Sequence, residues 1–314
     1  MWHGDNFMRT RSRPALHVED RGSGEPVLLI TGWTISSAIF EPVLDHYTPH
    51  VRCVTYDHRG SGRSAPWPFA VSMAMLAADA ARVLDDRGID AAHVAGASMG
   101  GMVALELAVR FPHRVRSLVL MGAGASAPDW TLGHLHAAVV GTGQVARDSA
   151  RRRGLWPEAL LFSEAFRRAD PQRAKELTRY FRRHRSPPWM VLSQALAAGC
   201  FDRLDDLHRV RAPTLVLHGE RDVMVPLSSA HRLAAGILGA ELHVVPGAGH
   251  AAALEQDEAT AELLLDWVRR HAGEPVPAPP GAAGRLVERA SRPLALHVGA
   301  TRAWSRAARR MVRL

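Results

Sequence analysis

The sequence predicts an α/β protein: a mostly parallel, doubly wound sheet with helices on both faces and a helical cap insertion. Three observations lead there. Short apolar runs alternate with helical patterns from about residue 15 to 121 and again from about 214 to 270, the order that builds a parallel sheet covered on both sides. One strand-to-helix junction, Ala92 to Gly101, is made largely of small residues, so the chain turns sharply there. Between residues 126 and 205 the alternation stops and Arg-rich, strand-poor, helical sequence replaces it.

The elements follow in order. Ala15 to Asp20 alternates and reads as an edge strand, followed by a turn at Arg21 to Gly24. Val27 to Ile30 is a continuous apolar run, as expected of a strand buried on both faces. It ends at Thr31, Gly32 and Trp33, and a helix is expected from about Ser37 to Tyr47. Val51 to Tyr56 is the next strand and runs into a glycine-bearing turn, Asp57 to Ser64. Ser72 to Arg87 has helical periodicity, with Leu76, Ala80, Val83 and Leu84 on one side and Gly88 as a stop. The strand at Ala92, the helix from Met99 to Arg110 and a strand from Val115 to Met121 come next. Thr214–Leu217 and Glu241–Val245 continue the sheet, with a helix from Ser228 to Leu238 between them and a closing helix from about Glu258 to Arg270.

This gives a core of residues 1–125 and 206–274, a cap of 126–205, and a Pro-rich linker and basic tail at 275–314. In such sheets ligands bind at the carboxyl edge of the strands, and the cap is expected to cover that edge. Trp130, Trp156, Phe162, Phe166, Phe181, Trp189 and Met190 are scattered through it. They are expected to form a small core of the cap's own, some of them lining a pocket.

Composition narrows the function classes. The chain has 314 residues, 47% of them hydrophobic, and no apolar run of the roughly 18 residues that would suggest a membrane span. The first ten residues lack the basic-then-apolar layout of a secretory signal, and Cys53 and Cys200 make no disulfide framework. A cytoplasmic protein is expected. The net charge is +8, but of 39 Lys and Arg and 31 Asp and Glu, eight Arg and one Glu fall in residues 276–314, which leaves 31 basic and 30 acidic residues before them. Lys175 is the one lysine; the Arg bias reads as nucleotide composition, and no nucleic-acid partner is expected. The tail around Trp304, Ala308 and Met311 has a thin apolar face, expected to be solvated or packed on the body rather than membrane-bound. Arg151 to Arg153, Arg182 and Arg183 in the cap favour either a solvated face or an acidic substrate.

The chemistry gathers around Gly96, Ala97, Ser98, Met99 and Gly100, which fit G-x-S-x-G between a strand and a helix. Such a serine sits at the apex of a strained turn, and the helix N-terminus behind it offers N–H groups to a developing oxyanion. Serine alone is a weak nucleophile; it needs a base, an acid to orient the base, and oxyanion donors. His250 is the candidate base, on a Gly-rich loop after the last strand, set apart from His17, His93 and His243, which fall on strand patterns. Asp222 is the candidate acid, on the loop after Leu217, with Glu220 as its local rival. Oxyanion donors are expected from the backbone of Met99 and Trp33. No cofactor or metal site is expected.

With these pieces together, residues 14–272 resemble the α/β-hydrolase superfamily, its serine esterase and lactonase-like branch. Beside the serine elbow, Asp57 to Ser64 is similar to that family's D-x-R-G-x-G-x-S turn, Asp222 to Pro226 to its D-x-x-V-P, and Gly247 to His250 to its G-x-G-H. The resemblance implies Ser98 as nucleophile, His250 as base, Asp222 as orienting acid, and hydrolysis of a small-molecule ester or lactone without a cofactor. Thr31-Gly32 stands where the family usually has His-Gly, which bears on local loop packing. Ser98 in place of a carboxylate argues against haloalkane dehalogenases and epoxide hydrolases. Ala97 and Ala251 stand where C–C hydrolases carry Asn and an aromatic residue. Enol-lactonases, methylesterases and haloperoxidase-like esterases share the elbow, and a small-molecule receptor on the same fold is the alternative outside the enzymes.

Overall fold

The computed structural model describes residues 14–126 and 158–277. Trp130, Trp156, Arg151 to Arg153, most of the linker and the basic tail fall outside them. Among the described residues seven strands form one sheet: β1 (Val18–Arg21), β2 (Pro26–Ile30), β3 (Arg52–Tyr56), β4 (Ala92–Ala97), β5 (Val115–Met121), β6 (Thr214–Gly219) and β7 (Glu241–Val245), in the order β1-β3-β2-β4-β5-β6-β7. β1 pairs antiparallel with β3, and every other pair is parallel. Strand order reverses at β2, which lies between β3 and β4, and this switch opens a crevice at the carboxyl edge.

Helices α1 (Glu41–Tyr47), α2 (Met73–Asp86), α3 (Met99–Arg110), α8 (Leu227–Gly236), the short α9 (Ala252–Glu255) and α10 (Asp257–Arg270) follow the strands. The expected first helix is in fact a 3-10 turn at Ser37–Phe40 leading into α1, with Pro42 in its first turn, where a missing N–H is harmless. Ser72 caps α2 by accepting a bond from the Met75 N–H at 3.2 Å.

Strand residues divide between two cores because side chains alternate across a sheet. Leu28, Ile30, Val54, Val94, Leu118 and Val216 face α2, α3 and α8. Val27, Leu29, Cys53, Val119 and Leu217 face α1 and α10, where Leu264, Trp267 and Val268 are buried. Each fully buried side chain of this kind contributes about 1.5–3 kcal/mol.

The insertion between β5 and β6 supplies α4 (Glu158–Leu161), α5 (Glu164–Ala169), α6 (Pro171–Arg183) and α7 (Pro188–Gly199). Its described aromatic residues do not make a separate core. Phe162, Phe166 and Phe181 pack into the α1/α10 core and Met190 into the other, while Trp189 is exposed.

The insertion returns through an ion cluster. Glu106 of α3 is buried and accepts bonds from Arg203, at 2.5 and 2.8 Å, and from Arg110. Burial pushes the Glu106 carboxyl up, but the two arginines outweigh it and hold it below its ordinary value. The stability it contributes is therefore present above the unfolded carboxylate value of about 4.3 and lost as pH falls through the lower folded value. Glu106→Gln is expected to cost about 3 kcal/mol at pH 7, measured by urea unfolding. The gap to wild type should narrow below about pH 4.

Candidate active site

Each candidate residue sits at the carboxyl end of a different strand, and the sheet places those ends side by side. Ser98 follows β4, the central strand; Thr31 to Trp33 follow β2 on one side; Gly122 follows β5 on the other. Asp222 and His250 lie on the loops after β6 and β7.

Ser98 has φ +55° and ψ −119°, one of two non-glycine residues with positive φ among those described. Such a conformation costs on the order of 1–3 kcal/mol and persists only where its surroundings impose it. Its N–H donates to Met121 O at 2.8 Å, which ties the turn to β5. Behind it, a Cβ on Gly96 would lie 2.3 Å from Gly100 O, and one on Gly100 would lie 2.1 Å from Ile30 O. Only glycines allow strand and helix this close. Met99 opens α3, so its N–H has no acceptor within the helix.

The loop after β2 lies over the serine: a Cβ on Gly32 would sit 3.3 Å from Ser98 Cβ and 3.9 Å from its Oγ. Buried His58 donates from Nε2 to Thr31 O at 3.0 Å, and burial pushes its pKa down, so it stays neutral there. The Asp57 to Ser64 turn around it is scaffold. Asp57 Oδ1 accepts from the Ser37 N–H and hydroxyl, both at 2.7 Å, and Arg59 forms a buried two-bond pair with Asp79 of α2.

On the other side, His250 Nδ1 is 2.7 Å from Asp222 Oδ2. Asp222 Oδ1 accepts from the Met224 and Val225 N–H groups at 2.8 Å each. Burial pushes the Asp222 carboxyl up, but His250, His218 and the Val225 N–H outweigh it and keep it below the usual carboxylate range. The carboxylate is thus an acceptor, which places a proton on His250 Nδ1 and leaves Nε2 as the basic nitrogen. Glu220, the rival acid, instead accepts from the Gly247 N–H at 3.0 Å. Gly122, with φ +55°, leaves room for the His250 ring, which a Cβ there would meet at 3.3 Å.

Three positioning residues escaped the sequence reading. His218, fully buried on β6, lies 3.4 Å from Asp222 Oδ2 and bonds Val225 O at 2.9 Å. Glu255 of α9 binds the Gly249 N–H at 2.9 Å and both the Ser163 N–H and hydroxyl, joining the His250 loop to the insertion. Buried Gln194 of α7 accepts from the Thr34 N–H at 3.2 Å and donates to Ser61 Oγ at 3.1 Å. A lone glutamine in the apolar run of α7 is the one visible hint of these.

Ser98, His250, Gly32 and Trp33 line a common cavity of about 170 Å³. It runs inward to Leu29, Val43, Tyr47 and Leu264, and its roof is Leu161, Phe181, Arg182 and Arg185 of the insertion. Among the described residues no group of three or more His, Cys, Asp and Glu could hold a metal ion, and no helix is long and apolar enough to cross a membrane.

A family model described as the alpha/beta hydrolase fold matches residues 25–257. The chain is 32% identical over 271 residues to a protein named as a carbamate hydrolase, RutD, of Variovorax paradoxus, covering 84% of this chain and 99% of that one. Among solved structures it is similar to a thermophilic esterase from Thermogutta terrifontis, with a TM-score of 0.69 and 26% identity over 82% of this chain and 93% of the other. It is similar also to Est816, an N-acyl homoserine lactone degrading enzyme, with a TM-score of 0.67 and 26% identity over 81% and 97%.

Proposed function

Because the chain belongs to the alpha/beta hydrolase fold family and its relatives are named as hydrolases, we propose that it cleaves a small carboxylic ester or lactone through an acyl-enzyme on Ser98. The observation that carries this reading is the 2.7 Å bond from His250 Nδ1 to Asp222, on the same cavity as Ser98 at the apex of its strained turn. Ser98 Oγ attacks the substrate carbonyl while His250 Nε2 takes its proton. The Met99 and Trp33 N–H groups hold the oxyanion. His250 returns the proton to the leaving alcohol, and water, activated by the same nitrogen, releases the acid. Asp222 keeps its charge and stabilises the imidazolium.

The likeness to the RutD protein favours a second reading, cleavage of a carbamate. The same attack on a carbonyl serves it, with an amine or alcohol leaving. The test is a fluorophosphonate probe followed by peptide mapping, alongside turnover of an aryl ester, a lactone and an aryl carbamate. Labelling at Ser98 and turnover of one or more carbonyl classes is expected. Absence of label at Ser98 in protein that turns over any of them would overturn the acyl-enzyme.

The cap contact gives a further expected result. Thr34 has φ +72°, and its N–H is held by Gln194, while Trp33 Nε1 donates to Val191 O at 2.8 Å. Both bonds fix the loop that carries the Trp33 N–H. Gln194→Ala is expected to lower kcat about ten-fold with little change in KM and to cost about 1–3 kcal/mol from the unpaired Thr34 N–H. Steady-state kinetics and urea unfolding check it.

A further inference from the structure

We infer that the substrate carries an anionic group, a carboxylate or an oxyanion of similar shape, received at the cavity mouth by Arg185 beside Arg182, while an apolar part fills the deep end. This rests on the hydrolase reading above and names its substrate class.

The cavity is polarised. Its inner end is mostly apolar, from Leu29, Val43, Leu264 and the Tyr47 ring, and its volume of about 170 Å³ is near the roughly 150 Å³ of an apolar cavity that accepts benzene. At the rim the insertion contributes Arg182 and Arg185, and among the described residues no acidic side chain lines the cavity. Arg185 is also rooted where a substrate must pass. The backbone at His184 to Ser186 runs antiparallel to Thr34–Ser36: Ser36 N–H donates to His184 O at 3.0 Å, Ser186 N–H to Thr34 O at 2.6 Å, and Ile35 pairs with Arg185. Ile35 lies two residues beyond Trp33. The arginine is thereby fixed to the loop proposed to hold the oxyanion, on the same cavity as Ser98.

Among the described residues no acidic side chain pairs with Arg185. Burial, and then the like charge of Arg182, push the Arg185 guanidinium below its ordinary value. An anion at the mouth reverses the sign of that interaction, since an opposite charge within about 4–6 Å favours the ionised form. A planar guanidinium also offers the paired donors that match a carboxylate. An arginine charge over low-dielectric walls further concentrates anions.

The full 314-residue chain is assayed on phenyl butyrate and on two relatives that place a carboxylate on either side of the ester, 3-carboxyphenyl butyrate and phenyl hydrogen glutarate. Wild type is expected to turn over at least one carboxylated ester with kcat/KM about ten-fold above phenyl butyrate. Arg185→Gln should remove about ten-fold from that ratio, and high salt should shrink it. Arg168→Gln, on the exposed side of α5, should leave the ratio as in wild type. Calorimetry with 4-phenylbutanoate and 4-phenylbutan-1-ol reads the same preference without turnover: the carboxylate is expected to bind more tightly, and Arg185→Gln to abolish the difference. If no ester is hydrolysed but the carboxylate is still preferred through Arg185, ester hydrolysis fails and the anion site stands. If phenyl butyrate is hydrolysed as well as both acids and the two ligands bind alike, the anion site is overturned while hydrolysis stands.

Discussion

Ser98→Ala is expected to lower kcat/KM for an aryl ester by about 10⁴–10⁶-fold while the protein stays folded. The magnitude follows from the proposed concerted roles of Ser98, His250 and Asp222: removing the proposed nucleophile removes what the other two would act on. A residual rate above that of water is expected, because oxyanion donors and substrate binding remain. The fold should survive because alanine keeps the Cβ, so the cost of φ +55° is the same in both proteins. The Ser98 N–H bond to Met121 O is a backbone bond and is likewise unaffected. Ester turnover and a melting curve, measured together, check the two halves. Equal turnover by the variant, with the wild-type melting temperature, would remove Ser98 from the mechanism.

Gly100→Ala is expected to be the most damaging single methyl on the serine turn. Its Cβ would lie 2.1 Å from Ile30 O, 2.7 Å from Ile30 C and 2.6 Å from Thr31 O. These are backbone atoms at the end of β2, so no rotamer change relieves the overlap; α3 must move away from the sheet. We expect a loss on the order of 3–5 kcal/mol, at the upper end for overpacking, and a melting temperature lower by roughly 10 °C. Moving β2 also moves Thr31 to Trp33, so the folded fraction should lose activity per molecule. Gly199→Ala is the contrast. Nothing lies within 4 Å of a Cβ there, it falls within α7, and it should change stability by less than about 1 kcal/mol.

Much of this molecule can be read from the sequence, because the signals are local. The apolar run at Val27 to Ile30 and the alternation of strand and helix follow from burial on two sheet faces. Helix boundaries at Ser72 and Met99 follow from a capping serine and a small-residue turn. The strained turn at Ser98 needs small neighbours whatever packs beyond it, so Gly96 and Gly100 mark it in advance. Spacing in the chain also brings out Asp222 and His250, since each follows a strand on a glycine-bearing loop.

What spacing lacks is distance in space. Whether Asp222 or Glu220 meets His250 depends on how the β6 and β7 loops cross, and the two differ by only two positions in sequence. The sequence suggests that Gly100 clears space for β4; the fold shows that its sharpest contact is with the end of β2. Phe162, Phe166 and Phe181 read as part of a core of the insertion's own, yet they join the sheet's α1/α10 core, because burial depends on what lies opposite a side chain and periodicity reports only which face it is on. The same reason hides His218, Glu255 and Gln194, polar residues whose partners lie up to 160 positions away. By itself, then, the sequence determined the α/β alternation, the serine turn and the loops that present Asp222 and His250, all set by neighbours along the chain. Only the tertiary structure decided which carboxylate faces the histidine, what pins the Trp33 loop, and that Arg185 stands at the mouth of an apolar cavity, because those are contacts between distant segments brought together by packing.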